Sequence, residues 1–208
     1  MSDEIEASKG DLTPWYRGKT PRSFDGFPRE DSEQVYDSVW CGLRRDMIRL
    51  PNGDLQDYHI FEVTDAIVVV PVLPDGSILM IWQYRYPHGK SHWEIPAGRM
   101  HADEDPVDAA DRELLEETGY ASDSVEKLCG FYPINGISAH YAHAFVARDC
   151  EWTSELKLDH SELLEVHRFE PDEVRGLLLR GEIQDGFTAL ALHAYFAASA
   201  VVDPVQTK

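Results

Sequence analysis

Residues Gly98–Tyr120 read GRMHADEDPVDAADRELLEETGY, and Arg112-Glu113-Leu114-Leu115-Glu116-Glu117 packs three carboxylates into little more than one helical turn. Asp105 suits the N-cap, Pro106 the first helical position and Gly119 the position past the end, which predicts a helix of 13 residues between them. Val107, Ala110 and Leu114 recur at spacings of three and four and are expected to line its core side. Glu113, Glu116 and Glu117 stand at i, i+3 and i+4 and so project from one face. Unpaired, each like-charged neighbour costs roughly a few tenths of a kcal/mol. A hard cation reverses that sign, because Mg²⁺ and Mn²⁺ prefer oxygen ligands and sit between carboxylates and substrate phosphates. The plainer alternative is a solvated acidic face on which Arg112 pairs with Glu116 or Asp108.

Upstream of this helix the pattern is extended. SVWCGLRRDMIRL and DYHIFEVT flank the hairpin signal Asn52-Gly53, AIVVVPVL meets SILMIWQYRY across Asp75-Gly76, and SHWEIPAG follows as a short extended piece. Downstream, strands are expected around Glu126–Tyr132, Tyr141–Ala147 and Leu163–Phe169, then helices over PDEVRGLLLRGE and from about Gly186 to Val201. Interleaved strands and helices of this kind indicate an α/β (α+β) class with a mixed sheet between helices. Residues 1–33 are rich in Asp, Glu, Ser, Gly and Pro without periodicity and read as a flexible arm. Residues 34–64 read as an N-terminal antiparallel β-element, and 65–208 as the main domain.

A chain of 208 residues with 43% hydrophobic content buries one good core. Its net charge of −19 leaves no basic stripe for a phosphate backbone, so no nucleic-acid partner is expected. Cys41, Cys129 and Cys150 are odd in number and lack C-x-x-C spacing, which favours reduced thiols in a cytoplasmic protein. MSDEIEASKG is unlike a secretory signal, and the apolar run near the end is broken by His193 and Tyr195, so no membrane span is expected.

The helix and its flanks fit G-x5-E-x7-R-E-U-x-E-E-x-G-U, with U a bulky apolar or aromatic residue, at Gly98, Glu104, Arg112, Glu113, Leu114, Glu116, Glu117, Gly119 and Tyr120. By chance such a match has a probability on the order of 10⁻⁹ per starting position. It resembles the signature of the Nudix hydrolases, whose signature segment forms a loop, helix and loop on an α/β/α sandwich, holds divalent metal and cleaves a diphosphate linked to another moiety. The resemblance implies Glu113, Glu116 and Glu117 as metal ligands with the Ala97 carbonyl, and Arg112 and Glu104 as residues that orient helix and loop.

QYRYPHGKSHWEIPAGRM resembles the segment before the signature in ADP-ribose and nucleotide-sugar pyrophosphatases. This implies Arg85 on a substrate phosphate, Glu94 lining the site and Arg99 as a further substrate contact. FYPINGISAHYAHAFVA resembles the following loop and strand, with two departures: Asn135-Gly136 stands for the usual Pro-Gly, and Ala139-His140 for an acidic residue that helps activate water in several relatives. The general base is therefore open between His140, Glu162, Glu165 and Glu117. In similar enzymes the N-terminal β-element pairs subunits and lends aromatic residues to the base, which implies a homodimer and points to Trp40 or Tyr58.

The expected activity is a pyrophosphohydrolase dependent on Mg²⁺ or Mn²⁺. It acts on a nucleoside diphosphate sugar, ADP-ribose first, and releases a nucleoside monophosphate and a sugar phosphate. The alternatives are the same chemistry on GDP-mannose, NADH, a diadenosine polyphosphate or a capped end, or a non-catalytic module that binds a nucleotide metabolite. Glu116→Gln and Glu117→Gln are expected to keep or slightly raise metal-free stability while abolishing turnover. Thermal melts with activity assays check this, and unchanged turnover in both variants contradicts the metal assignment.

Overall fold

The structure, a computed structural model, describes residues 25–202. In chain order the elements are β1 (Arg29–Asp37), β2 (Gly42–Arg49), β3 (Leu55–Glu62), β4 (Ala66–Pro71), β5 (Ile78–Arg85), β6 (Lys90–Glu94) and β7 (Ala97–Arg99). Then come α1 (Pro106–Thr118), β8 (Tyr120–Ala121), β9 (Ser124–Phe131), β10 (Ala142–Arg148), β11 (Glu151–Trp152), β12 (Leu164–Phe169), α2 (Pro171–Leu179) and α3 (Gly186–Val202).

A mixed sheet in the order β7-β4-β10-β9 carries the core, with β10 parallel to β4 and the outer pairings antiparallel. Every residue of β4 is buried, because the strand has helices on both faces. Ile67 and Val69 cluster with Phe145 and with Ala109, Ala110 and Leu114 of α1. Val68 and Val70 alternate to the opposite face, where they meet Val174 and Leu177 of α2 and Leu192 and Phe196 of α3. Burial on both faces explains why AIVVVP is a continuous apolar run rather than an alternating one. The result is the expected α/β/α sandwich, with a second sheet in the order β12-β5-β6.

The helix is capped as its sequence predicts. Asp105 accepts a hydrogen bond from the Val107 N–H at 2.9 Å, and Gly119 takes a left-handed φ of 75° and donates to the Leu115 carbonyl. A side chain at Gly119 would also collide with the Ser154 carbonyl, 2.1 Å from the site of a Cβ. The core stripe is rotated from expectation, for Val107 is 39% exposed. The buried face is Ala109, Ala110, Glu113, Leu114, Glu117 and Thr118, so the helix turns two of its carboxylates inward.

The described residues form two compact units. One comprises those of Met1–Glu33 with Arg45–Tyr58, the other Gln34–Arg44 with those of His59–Lys208. The flexible arm expected over 1–33 is corrected from Arg29 onward, where β1 begins, and its first 24 residues lie outside the described residues. All nine residues of β1 are exposed, so it shows no apolar alternation to betray a strand. Polar pairs hold this unit instead: Arg49–Glu30 and Arg45–Glu33, each at 2.7 Å, and Ser32 donating to Asp46 at 2.7 Å. β1, β2 and β3 form a three-stranded sheet in that order.

Leu114→Ala is expected to lower the stability of the second unit by roughly 2–5 kcal/mol, since Leu114 is wholly buried between α1 and the sheet. Urea denaturation measures it, and a loss below about 1 kcal/mol would contradict the packing.

Candidate active site

α1 delivers its carboxylates into a cleft of about 1000 Å³ that lies within the second unit. Glu117 is 2% exposed, and its Oε2 accepts the Ala97 N–H at 3.0 Å. Burial pushes its carboxyl well above the ordinary range, the charges of Glu113 and Glu162 push the same way, and the Ala97 N–H and Arg85 pull against them. Glu113 is raised by burial too, with Arg112 opposing. Its carboxylate lies against Gly98, where a Cβ would stand 1.9 Å from Oε1, so only glycine leaves room for it. The Glu116 side chain is 40% exposed and faces the cleft mouth.

Arg112 ties these groups to the preceding loop. Its Nε and Nη2 donate to the two oxygens of Glu104 at 2.8 and 2.9 Å, and Nη2 also donates to the Arg99 carbonyl at 3.2 Å. Nη1 donates to Glu113 at 2.7 Å and to Glu116 at 3.2 Å. Glu104 in turn accepts the His101 N–H at 2.8 Å, which closes the loop. The pairing with Glu116 anticipated for a solvated face is present, but the Arg112 side chain is only 22% exposed and serves three carboxylates.

In the same cleft Arg85 forms a forked pair with Glu94, with Nε to Oε1 at 3.1 Å and Nη2 to Oε2 at 2.7 Å. Glu94 is 3% exposed while the Arg85 head reaches the cleft. Arg99 donates to the Trp40 carbonyl at 2.7 Å and stacks its guanidinium 4.8 Å from the Trp40 ring. His140 is buried, with Nδ1 2.7 Å from the Thr64 carbonyl. That contact places the proton on Nδ1 and leaves Nε2 as an acceptor.

Glu162 also lines the cleft, held by the Asp159 N–H at 2.8 Å, and its charge bears on both Glu113 and Glu117. The structure thus brings together Ala97, Glu113, Glu116, Glu117, Arg85, Glu94, Arg99, Trp40, His140 and Glu162 in one cleft. Glu165 is set apart, for its side chain is 75% exposed on β12 and pairs with His167 at 3.3 Å. Tyr58 belongs to the first unit. The sequence reading missed Gln83, Lys157 and Asp159, which also line the cleft. The loop that carries the last two has no periodicity to reveal it, and Gln83 was legible only as part of a strand.

Among the described residues no group of three or more His, Cys, Asp or Glu stands ready to hold a metal ion. The cause is local, since Arg112 draws Glu113 and Glu116 to itself and the Ala97 N–H engages Glu117. The donor set still suits a hard cation: three carboxylates on one helix face, two of them buried, beside a glycine that leaves one of them space.

Comparison with known proteins agrees with this geometry. The NUDIX domain model matches residues 62–190, and that of the nucleoside diphosphate sugar hydrolase N-terminal domain matches residues 29–61. The chain belongs to the NUDIX family and is a Nudix hydrolase. It is similar to an ADP-ribose pyrophosphatase of Bacillus subtilis, 32% identical over 161 residues that cover 77% of this chain and 87% of the relative. It is 29% identical to an ADP-ribose pyrophosphatase of Mycobacterium tuberculosis over 187 residues, 88% of this chain and 90% of that one. The fold matches a crystal structure of an ADP compounds hydrolase with a TM-score of 0.78 at 20% identity, covering 89% of this chain and all of that one.

The Arg112 hydrogen bonds hold the Glu104 carboxyl down from 4.5 to about 2. A depressed carboxyl stabilises the fold above its unfolded value, and that contribution is lost as pH falls from 4.5 towards 2. Glu104→Gln should therefore be less stable than wild type at neutral pH, with the gap closing across that window. Urea midpoints at a series of pH values measure this, and a gap independent of pH would contradict the pairing.

Proposed function

We propose that the cleft hydrolyses the diphosphate of a nucleoside diphosphate sugar, ADP-ribose first, to a nucleoside monophosphate and a sugar phosphate. The observation that carries this reading is the meeting of two features in one cleft: inward-turned carboxylates on α1 and, near enough for its charge to act on Glu117, the Glu94-held guanidinium of Arg85. The names of the relatives, ADP-ribose pyrophosphatases in two bacteria, support the substrate class.

Nudix hydrolases generally need a divalent metal. In this chain Glu113, Glu116, Glu117 and the Ala97 carbonyl would hold it, and Mg²⁺ or Mn²⁺ suits an all-oxygen set. When bound, the ion neutralises phosphate charge and makes water more acidic. Arg85 holds a phosphate by charge-assisted hydrogen bonds, with its fork fixed by Glu94. Trp40, stiffened by Arg99, offers a face on which a base stacks. Glu162 is the general base, because it stands in the cleft close enough to raise the affinity of Glu113 and Glu117 for protons. His140 Nε2 accepts a hydrogen bond from substrate or water, with its tautomer set by Thr64.

The net charge of −19 argues against a nucleic-acid partner, and among the described residues no helix is long and apolar enough to cross a membrane. Exposed Val35, Tyr36 and Val39 favour pairing of two copies, which light scattering after gel filtration tests by giving one or two chain masses. Three free thiols favour the cytoplasm, a placement that cell fractionation tests.

The deciding experiment follows monophosphate release from ADP-ribose, GDP-mannose, UDP-glucose, NADH and a diadenosine polyphosphate, with Mg²⁺, with Mn²⁺ and with chelator. ADP-ribose should be cleaved fastest, and only with metal. Silence across the panel from folded, metal-bound protein would favour the binding module. Glu162→Gln should lower kcat by about 10²-fold or more with little change in KM, and His140→Gln by less. The reverse order would make His140 the base.

A further inference from the structure

Beside the cleft a recess of about 310 Å³ opens between the β5–β6 hairpin and the start of α3. It shares Arg85, Pro87, Glu94 and Asp185 with the cleft and adds His88, His92 and Gln184. Pro87 is the one apolar side chain among its described lining residues. Donors and acceptors therefore surround a volume at the small end of ligand sites, which run from about 300 to 1000 Å³.

The strand pairing adds a second, independent observation. Gln83 and His92 stand directly opposite each other on β5 and β6, and by strand alternation they share the face of Arg85 and Glu94. Gln83 is 2% exposed and lines the cleft, while His92 lines the recess. Gln83 Oε1 and His92 Nε2 are both buried without a hydrogen-bond partner. Buried polar atoms are almost always paired, so two orphans on one cross-strand pair, between cleft and recess, mark a place where a ligand supplies the missing partners.

The chemistry of the recess selects its occupant. A nucleobase needs a broad aromatic face, which the cleft provides through Trp40 and Phe187, whereas the only rings on donor-bearing side chains here are the two imidazoles, set edge to face at 5.2 Å. A polyhydroxyl ring needs adjacent donors and acceptors, and one fits the volume. Arg85 lines both cleft and recess, so a diphosphate bound to it would leave its base in the cleft and its other arm free to enter the recess.

We propose that this recess binds the sugar of the nucleoside diphosphate sugar. In it His92, after a turn of the imidazole, hydrogen-bonds the sugar hydroxyls, Gln83 reaches them from the adjoining cleft, and the pair sets the preference for sugar-bearing diphosphates. The proposal rests on the hydrolase reading above. Its test compares kcat/KM on ADP-ribose with that on the methyl ester of ADP, which has the same base and diphosphate but no distal sugar. In wild type the sugar-bearing compound is favoured, and in His92→Phe and in Gln83→Met the ratio falls about tenfold, mainly through KM. Ratios within about twofold of wild type in folded variants would overturn the proposal and leave the pair to an ordered water. Should the buried variants fail to fold, Gln184→Ala at the exposed rim carries the same test: a threefold or greater fall supports the subsite, and an unchanged ratio overturns it. A wild type that cleaves neither compound overturns the ADP-ribose reading on which the subsite rests, whereas one that cleaves both equally overturns only the sugar subsite.

Discussion

The Arg112 guanidinium is the constraint on which the site depends. Five donors on one planar head reach Glu104, Glu113, Glu116 and the Arg99 carbonyl, and so fix the helix, the loop before it and the end of β7 as one body. Lysine in its place would offer a point charge and lose the fork that holds both Glu104 oxygens. With the loop fixed, Gly98 lies under Glu113 and the Ala97 N–H lies on Glu117, so the strand and helix present backbone and carboxylates at one spot.

Burying Glu113 and Glu117 on α1 is costly, and burial pushes both carboxyls above the ordinary range. Ala109, Ala110 and Leu114 on the same buried face of the helix anchor it on the sheet beside these carboxylates. A rigid, two-sided packed strand, β4, lies beneath both and keeps them in register with β7. The carboxylates then share their cleft with Arg85, whose guanidinium is positive charge placed in the cleft of a protein of net charge −19.

Much of this was legible in the chain itself. Asp105, Pro106 and Gly119 bracketed α1 because capping chemistry is local, and the spacing of Glu113, Glu116 and Glu117 put them on one face for the same reason. What failed was the choice of buried face: Val107 fits an apolar stripe, yet the helix rolls to bury Glu113 and Glu117, a departure from hydrophobic period of the kind that occurs at functional sites. β1 was unreadable as a strand because cross-strand ion pairs, not burial, hold it. The place of Glu162 depends on a loop closed by the Asp159 N–H, and the isolation of Glu165 on β12 depends on strand alternation, neither of which a linear pattern separates. Gln83 and His92 lie 9 residues apart in sequence, and only the β5–β6 register makes them neighbours.

The central claim is that the carboxylates of α1 are arranged for a divalent cation. Its most direct test is calorimetric titration of metal-stripped protein with Mn²⁺, for wild type and for Glu117→Gln. The account predicts saturable binding by wild type and affinity at least about tenfold weaker in the variant, at equal thermal stability in the absence of metal or better. Equal Mn²⁺ affinity in the two proteins would contradict it.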